Sequence, residues 1–341
     1  MKTSFILILF LFMTGLVLAG CSGNGGELEM ADEHAVETRG VCLGRYTLKV
    51  PVGLRRQQNS LDSTGDATFY FGHDEDFNKI DVIVQDVEST EDFESSVSRR
   101  EIQLKQKINF SNDGPMLLAR VSTAPGVEVI QSYASPDSLD AVRMEVHTLV
   151  GGSHVVLGET SYSPDTRESI QSRLLSMLSS TRSLGEDADA APGFCVGSVV
   201  FDFGNDYEEA GIAYSGRIGN VAVTLQVDIN TFHQDADEPA LIRRGEANLE
   251  GIGVRPEKLR AGGRALAGDA GEEWLGAFVN HGLRLHGFYA ETATRKPTLE
   301  SPKVLVSLST GSEDDEVSAT MDDASAIALW EEVLGSLKKR F

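Results

Sequence analysis

Positive charge is scarce in this chain. Its 341 residues include 30 lysines and arginines against 52 aspartates and glutamates, for a formal net charge of -22. That balance excludes nucleic acid as a partner class, because phosphates demand a basic surface. A basic protein partner is compatible with it. Cysteine is also rare, at three residues. The apolar run at the start, led by Phe5 to Phe12, is too short for a comfortable membrane span.

The motifs of common enzyme chemistry are missing as well. There is no Gly-x-Ser-x-Gly elbow to expose a hydrolase nucleophile. Walker and dinucleotide glycine patterns are absent, and Gly251-Ile252-Gly253 and Gly262-Gly263 lack the strand-before, helix-after context that would give them meaning. His281 and His286 are five positions apart, which on a strand puts them on opposite faces, where they cannot share an ion. The run Glu313-Asp314-Asp315-Glu316 lacks the alternating ligands and central glycine of a calcium loop. The sequence thus predicts no catalytic residue, no metal and no cofactor, and it favours a binding protein over an enzyme.

What is present begins with a processing signal. Residues 1–20 read as a lipoprotein signal peptide, with Lys2 as the positive region, the apolar run after it, and Leu18-Ala19-Gly20 leading into Cys21. A cysteine at that position supplies the thiol for lipid attachment, so lipidation is expected at Cys21. Ser22 stands where an aspartate would signal inner-membrane retention, which points to the outer membrane, facing the periplasm. Residues 21–40, rich in glycine and acids, read as a flexible tether. Cys42 and Cys195 remain, in a compartment that permits disulfides. They bond to each other or are two buried thiols, and the sequence leaves both open.

The rest reads as one design used twice. Cys42 to Pro51 opens the first half, and Gly193-Phe194-Cys195 opens the second. In the first half, strands are predicted at Cys42–Val50, Thr68–Phe71, Lys79–Gln85, Met116–Ser122, Gly126–Tyr133, Ala141–Leu149 and His154–Thr160, the last two joined by a Gly151-Gly152 turn. A helix from Thr90 to Lys107, capped by Ser89, places Phe93, Val97, Leu104 and Ile108 on one face. A second begins at Ser163-Pro164 and carries Ile170, Leu174, Met177 and Leu178. In the second half, strands are predicted at Val199–Phe203, Gly211–Ile218, Val221–Asp228, Arg264–Leu266, Glu273–Phe278, Leu283–Tyr289 and Val304–Leu308. Helices are predicted at Pro239–Leu249 and after Asp322, the latter with Ile327, Trp330, Leu334, Leu337 and Phe341 on one stripe.

The expected fold class is α+β, with two similar domains at 41–184 and 193–341, each an antiparallel sheet with helices packed on it. Residues 185–192 form the linker, and the cleft between the domains is the first place to look for a partner. Two acidic loops are candidate contacts for a basic partner: Glu313, Asp314, Asp315 and Glu316, and, more weakly, Asp235, Asp237 and Glu238.

The lipoprotein leader, Cys42-x-Gly44-Arg45-Tyr46 ending at Pro51, Gly193-Phe194-Cys195, and a terminal helix with Trp330 ending in basic residues at Arg340 occur in one order and spacing. Together they resemble the immunity proteins that neutralise type VI secretion phospholipase effectors. Arg243-Arg244-Gly245 and Gly271-Glu272-Glu273-Trp274 add to the likeness. The resemblance implies a non-catalytic, periplasm-facing protein of two similar domains that grips a phospholipase effector between them and blocks its action on membrane phospholipid. A different class is also compatible with the residues: a periplasmic lipoprotein that binds a small ligand or helps assemble an envelope complex.

Overall fold

The computed structural model describes residues 36–61, 65–72, 77–185, 192–232, 238–245, 256–280, 282–311 and 320–340. The signal peptide, Cys21, most of the tether, residues 186–191 of the linker and Phe341 lie outside them.

Strands dominate, as the alternating stretches require. The first half supplies β1 (Thr38–Gly44), β2 (Tyr46–Pro51), β3 (Leu54–Arg56), β4 (Ala67–Phe71) and β5 (Asn78–Asp86). After α1 (Thr90–Gln106) come β6 (Ile108–Asn109), β7 (Gly114–Pro115), β8 (Leu117–Ala124), β9 (Val127–Tyr133), β10 (Val142–Val150) and β11 (Ser153–Ser161). A short turn and α2 (Arg167–Met177) lead to β12 (Thr181–Ser183). The second half supplies β13 (Phe194–Val196), β14 (Val199–Phe201), β15 (Tyr207–Ile218), β16 (Val221–Asn230) and β17 (Glu257–Leu266). It continues through β18 (Asp269–Asn280), β19 (Leu283–Thr292), β20 (Lys303–Thr310), α3 (Asp323–Gly335) and β21 (Lys338–Lys339).

The architecture is α+β, mostly antiparallel sheet with few helices. One sheet has the order β12-β14-β13-β1-β2-β21. The larger runs β17-β18-β19-β20-β16-β15-β4-β5-β11-β10-β9-β8, with β3 also pairing β15. Strands from the two sequence halves meet inside both sheets. β1 pairs β13 with Leu43 opposite Val196. β4 pairs β15 with Tyr70 opposite Tyr207, and β3 pairs β15 with Leu54 opposite Gly216. Residues Val36–Phe341 accordingly form one compact unit.

The core follows the same seam. Phe69 of β4 is fully buried and packs edge-on against Phe194, ring centroids 5.1 Å apart, and against Phe203 at 4.9 Å. On the second half, Trp330 of α3 is completely buried, lies 6.0 Å from Phe288, and donates its Nε1–H to Glu273 Oε2 at 3.2 Å. That bond satisfies an indole which burial would otherwise leave unpaired.

The helices begin and end as local chemistry directs. The Ser89 side chain accepts from the Asp92 backbone N–H at 3.1 Å, capping α1, which buries Phe93, Val97 and Leu104. Ile108 departs from the expected face: Lys107 is already extended, the 3.6-residue period has ended, and Ile108 is 47% exposed in β6. Pro164 starts a 3-10 turn that runs into α2 rather than α2 itself. In α3 the buried stripe is Ala326, Leu329, Trp330, Val333 and Leu334, with Ile327 at its margin.

Several strands outrun their predicted bounds for a shared reason. β15 starts at Tyr207 because Tyr207 to Ala210 gain partners on β4. β17 begins at Glu257 rather than Arg264; it is an edge strand paired only with β18, so nothing requires alternating apolar residues along it. Of the helix expected at Pro239–Leu249, residues 241–245 are helical and the rest lies outside the described residues.

Candidate partner-binding surface

Four aromatic residues gather where the two sequence halves meet at one end of the large sheet. Tyr70 lies near the end of β4, Phe77 precedes β5, Tyr207 opens β15 and Phe232 follows β16. Antiparallel pairing of β4 with β5 and β15, and of β15 with β16, brings these strand ends together. The Tyr70 and Phe232 rings stack at 4.6 Å with 10° between planes, and Phe77 lies 5.3 Å from each. Tyr207 meets Phe232 edge-on at 5.5 Å. Tyr70 is buried, whereas Phe77 is 37% and Phe232 42% exposed. Large apolar rings left open to water at a junction of elements mark a surface suited to covering.

Carboxylates underlie the stack. Glu209 accepts from the Tyr70 hydroxyl and, at 3.0 Å, from Asn230 Nδ2. Burial, followed by the Glu209 hydrogen bond and charge, raises the Tyr70 hydroxyl well above its ordinary pKa. Asp206 Oδ2 accepts from the Gly72 backbone N–H at 2.7 Å. Alongside, Arg45 grips Glu208 with two bonds, Nε to Oε1 at 2.8 Å and Nη2 to Oε2 at 3.0 Å, and Asn205 Nδ2 adds a third at 3.2 Å.

Of the acidic residues singled out in the sequence, Glu313 to Glu316, Asp235 and Asp237 lie outside the described residues. Glu238 is described, and its carboxylate is engaged internally: Arg244 Nη1 approaches Oε1 at 2.8 Å, and Lys303 bonds the other oxygen. Both cations also reach Glu291, at 2.9 and 3.4 Å. The network lines a cavity of about 60 Å³, far below the few hundred Å³ of a ligand pocket. A hollow of about 460 Å³ lies by Arg264, Leu334, Lys338 and Lys339. Two of its cations are already committed, Arg264 to Glu331 at 2.6 Å and Lys339 to Asp269 at 2.8 Å.

Cys42 and Cys195 are joined by a disulfide, with Cα atoms 5.8 Å apart, beside the β1–β13 pairing. Arg340, buried, covers it: its Nη1 donates to Gly193 O at 3.2 Å and lies 3.0 Å from Cys195 Sγ. His286 is a buried tie between elements, Nδ1 to Thr310 Oγ1 at 2.6 Å and Nε2 to Asp323 Oδ1 at 3.0 Å. His281 lies outside the described residues.

A second histidine group had no signal in the sequence. Arg100 bonds Glu145 twice, at 2.7 and 3.0 Å; Glu145 Oε2 lies 3.4 Å from His147 Nε2, and His147 Nδ1 meets His154 Nε2 at 3.0 Å. Burial, then the charge of His147, lowers the His154 ring to about 3, so it stays neutral. Burial pushes the Glu145 carboxyl up, but His147 and Arg100 overcome it and hold it at about 2. Among the described residues no group of three histidine, cysteine or acidic side chains is placed to hold a metal ion.

Residues 188–341 match the family described as Tle cognate immunity protein 4 C-terminal domain. The motif-based resemblance is therefore to the family that this stretch matches. Among solved structures, the chain is similar to the apo immunity protein TplEi of the type VI secretion system from Pseudomonas aeruginosa, with a TM-score of 0.61 and 17% identity over 89% of this chain and 97% of that one. It is also similar to a chain of the Tle4–Tli4 complex, with a TM-score of 0.63 and 17% identity over the same shares of each chain. At that identity the likeness is one of fold. No curated protein matches the chain.

Proposed function

We propose that the protein is a periplasm-facing immunity lipoprotein that binds a type VI secretion phospholipase effector and blocks its attack on membrane phospholipid. The observation that carries this reading is the match of residues 188–341 to the immunity family. The fold shared with TplEi and with a chain of the Tle4–Tli4 complex supports it over most of the chain. In this reading Cys21 carries the lipid and anchors the protein to the outer membrane, and the tether gives it reach. The effector is gripped between the two sequence halves, with the acidic loops at Glu313–Glu316 and Asp235–Asp237 meeting basic surface. The protein acts by occupancy and performs no catalysis of its own.

The test is coexpression of a type VI secretion phospholipase effector, directed to the periplasm, with this protein either exported or held in the cytoplasm. Growth is expected to be rescued only by the exported form. Rescue from the cytoplasm alone, or no rescue, overturns the reading.

A further inference from the structure

We propose that the Cys42–Cys195 disulfide is a redox-sensitive tie between the two sequence halves, and that β21 with Arg340 is the gate through which a small thiol reaches it. The inference is independent of the immunity reading above.

Three observations converge. First, the bridge is closed to solvent, with Cys42 1% and Cys195 0% exposed. A thiol exchanges with a disulfide only by bringing its thiolate onto a sulfur, so something must move before this bond can be reduced. Second, most of what surrounds the bridge is held from both sides. β1, β13 and β14 are interior strands of the small sheet, each paired with two neighbours. Val200 of β14, which packs against the cysteines, is completely buried. Third, β21 is held from one side. It is two residues long and, among the described residues, pairs with β2 alone. Past that ladder, the Arg340 backbone N–H donates to Arg45 O at 2.9 Å, and its Nη1 donates to Gly193 O at 3.2 Å and lies 3.0 Å from Cys195 Sγ. A short strand paired along one edge opens at a smaller free energy than the whole fold, so β21 can lift while the rest stays closed.

The contact with Arg340 falls on Cys195, and lifting β21 bares that sulfur first. A glutathione thiolate attacks Cys195 Sγ, the S–S bond breaks, and its electron pair leaves on Cys42 as a thiolate. A second glutathione thiolate attacks the glutathione sulfur of the mixed disulfide, releasing oxidised glutathione and leaving Cys195 as a thiolate. The product has lost the covalent link between β1 and β13, whose cysteines are 153 residues apart.

The experiment incubates the folded full chain, in a Cys21→Ser background, with excess reduced glutathione, quenches samples with iodoacetamide and maps the cysteines by mass spectrometry. The first intermediate is expected to carry glutathione on Cys195 and the alkyl group on Cys42. Its rate should change little in urea below the unfolding transition, because lifting β21 exposes little surface. Arg340→Ala should speed the first step about tenfold, the share of the opening cost that one charged hydrogen bond carries. Gly216→Ala strains the other sheet, where a Cβ would lie 2.1 Å from the Gly53 carbonyl oxygen, and should leave the rate within about twofold. Leu184→Ala, at another neighbour of the bridge, should do the same.

A rate that climbs steeply with urea, or rises with Gly216→Ala, assigns reduction to global unfolding and overturns the gate. Glutathione found first on Cys42, or acceleration by Leu184→Ala and not by Arg340→Ala, overturns its position. A wild-type bridge that excess glutathione leaves intact overturns the switch. The wild-type adduct and its urea dependence decide the matter even where an Arg340 variant does not fold.

Discussion

Arg45 and Glu208 are 163 residues apart and joined by two hydrogen bonds, with the Glu208 side chain only 1% exposed and the Arg45 side chain 29% exposed. The pair clamps the turn between β1 and β2 onto the first residues of β15, so a charge of one half is neutralised by the other. Such a pair matters most when it is broken, because the buried carboxylate then lacks its counter-ion. Arg45→Ala is expected to lower stability by about 2–3 kcal/mol, discounted from a fully buried pair because Arg45 is partly open to water. Urea unfolding checks this. Arg45→Met combined with Glu208→Leu should recover much of the loss, since it removes both charges together.

The disulfide predicts a redox dependence. Cys42–Cys195 closes a loop with a sequence separation of 153. On the chain-entropy model its removal costs about 5 kcal/mol. Cys42→Ser with Cys195→Ser, or treatment with dithiothreitol, should lower the melting temperature together. In a Cys21→Ser background, thiol counting under denaturing, non-reducing conditions should find no free cysteine.

Acid should weaken the fold through His154. Folded, its ring is held down to about 3, while the unfolded chain takes up that proton near pH 6.5. The contribution is intact above pH 6.5. It declines as the pH falls from there toward 3, because across that window the unfolded state binds the extra proton, at about 1.4 kcal/mol per pH unit. Glu145, held at about 2, adds a loss of the same sign below about pH 4.3. His154→Leu should flatten the dependence of the urea midpoint between pH 7 and 5. An unchanged slope in that variant would assign the sensitivity elsewhere.

The pairing of β3 with β15 depends on two glycines. A Cβ on Gly216 would lie 2.1 Å from the Gly53 carbonyl oxygen, and one on Gly53 would lie 2.1 Å from that of Arg217. Both obstacles are backbone, so neither can rotate aside. Gly216→Ala should cost about 1–3 kcal/mol, and amide hydrogen exchange should rise first at Leu54 to Arg56, opposite it in the ladder.

Local pattern carried far in the sequence. The cap at Ser89, a helix beginning after Asp322, the Gly151-Gly152 hairpin and the Phe93, Val97 and Leu104 face of α1 are legible, because each is decided within a few residues, whereas of the stripe expected on α3 only Trp330 and Leu334 lie on its buried face. The part of the edge strand β17 before Arg264 and the short strand β3 are not, since a strand that is largely open to water or only three residues long gives little alternation. The aromatic stack was hidden for another reason. Tyr70, Phe77, Tyr207 and Phe232 are unremarkable singly, and only the pairing of β4 with β15 makes them neighbours. Acidic residues were conspicuous in the sequence by contrast. Of those described, Glu238 proves to be an internal counter-ion for Arg244 and Lys303.

The strand β21 pairs Lys338 and Lys339 with Thr47 and Tyr46, and Arg340 reaches back to Gly193 and Cys195. The sheet that β1 and β2 begin is therefore completed by residues about 290 positions further along the chain. Until those residues dock, the outer edge of β2 has no partner strand there, and Cys195 lacks the arginine that covers it. A molecule in which β21 has not docked would hold almost every strand of this protein and still present an open sheet edge to whatever accompanies it.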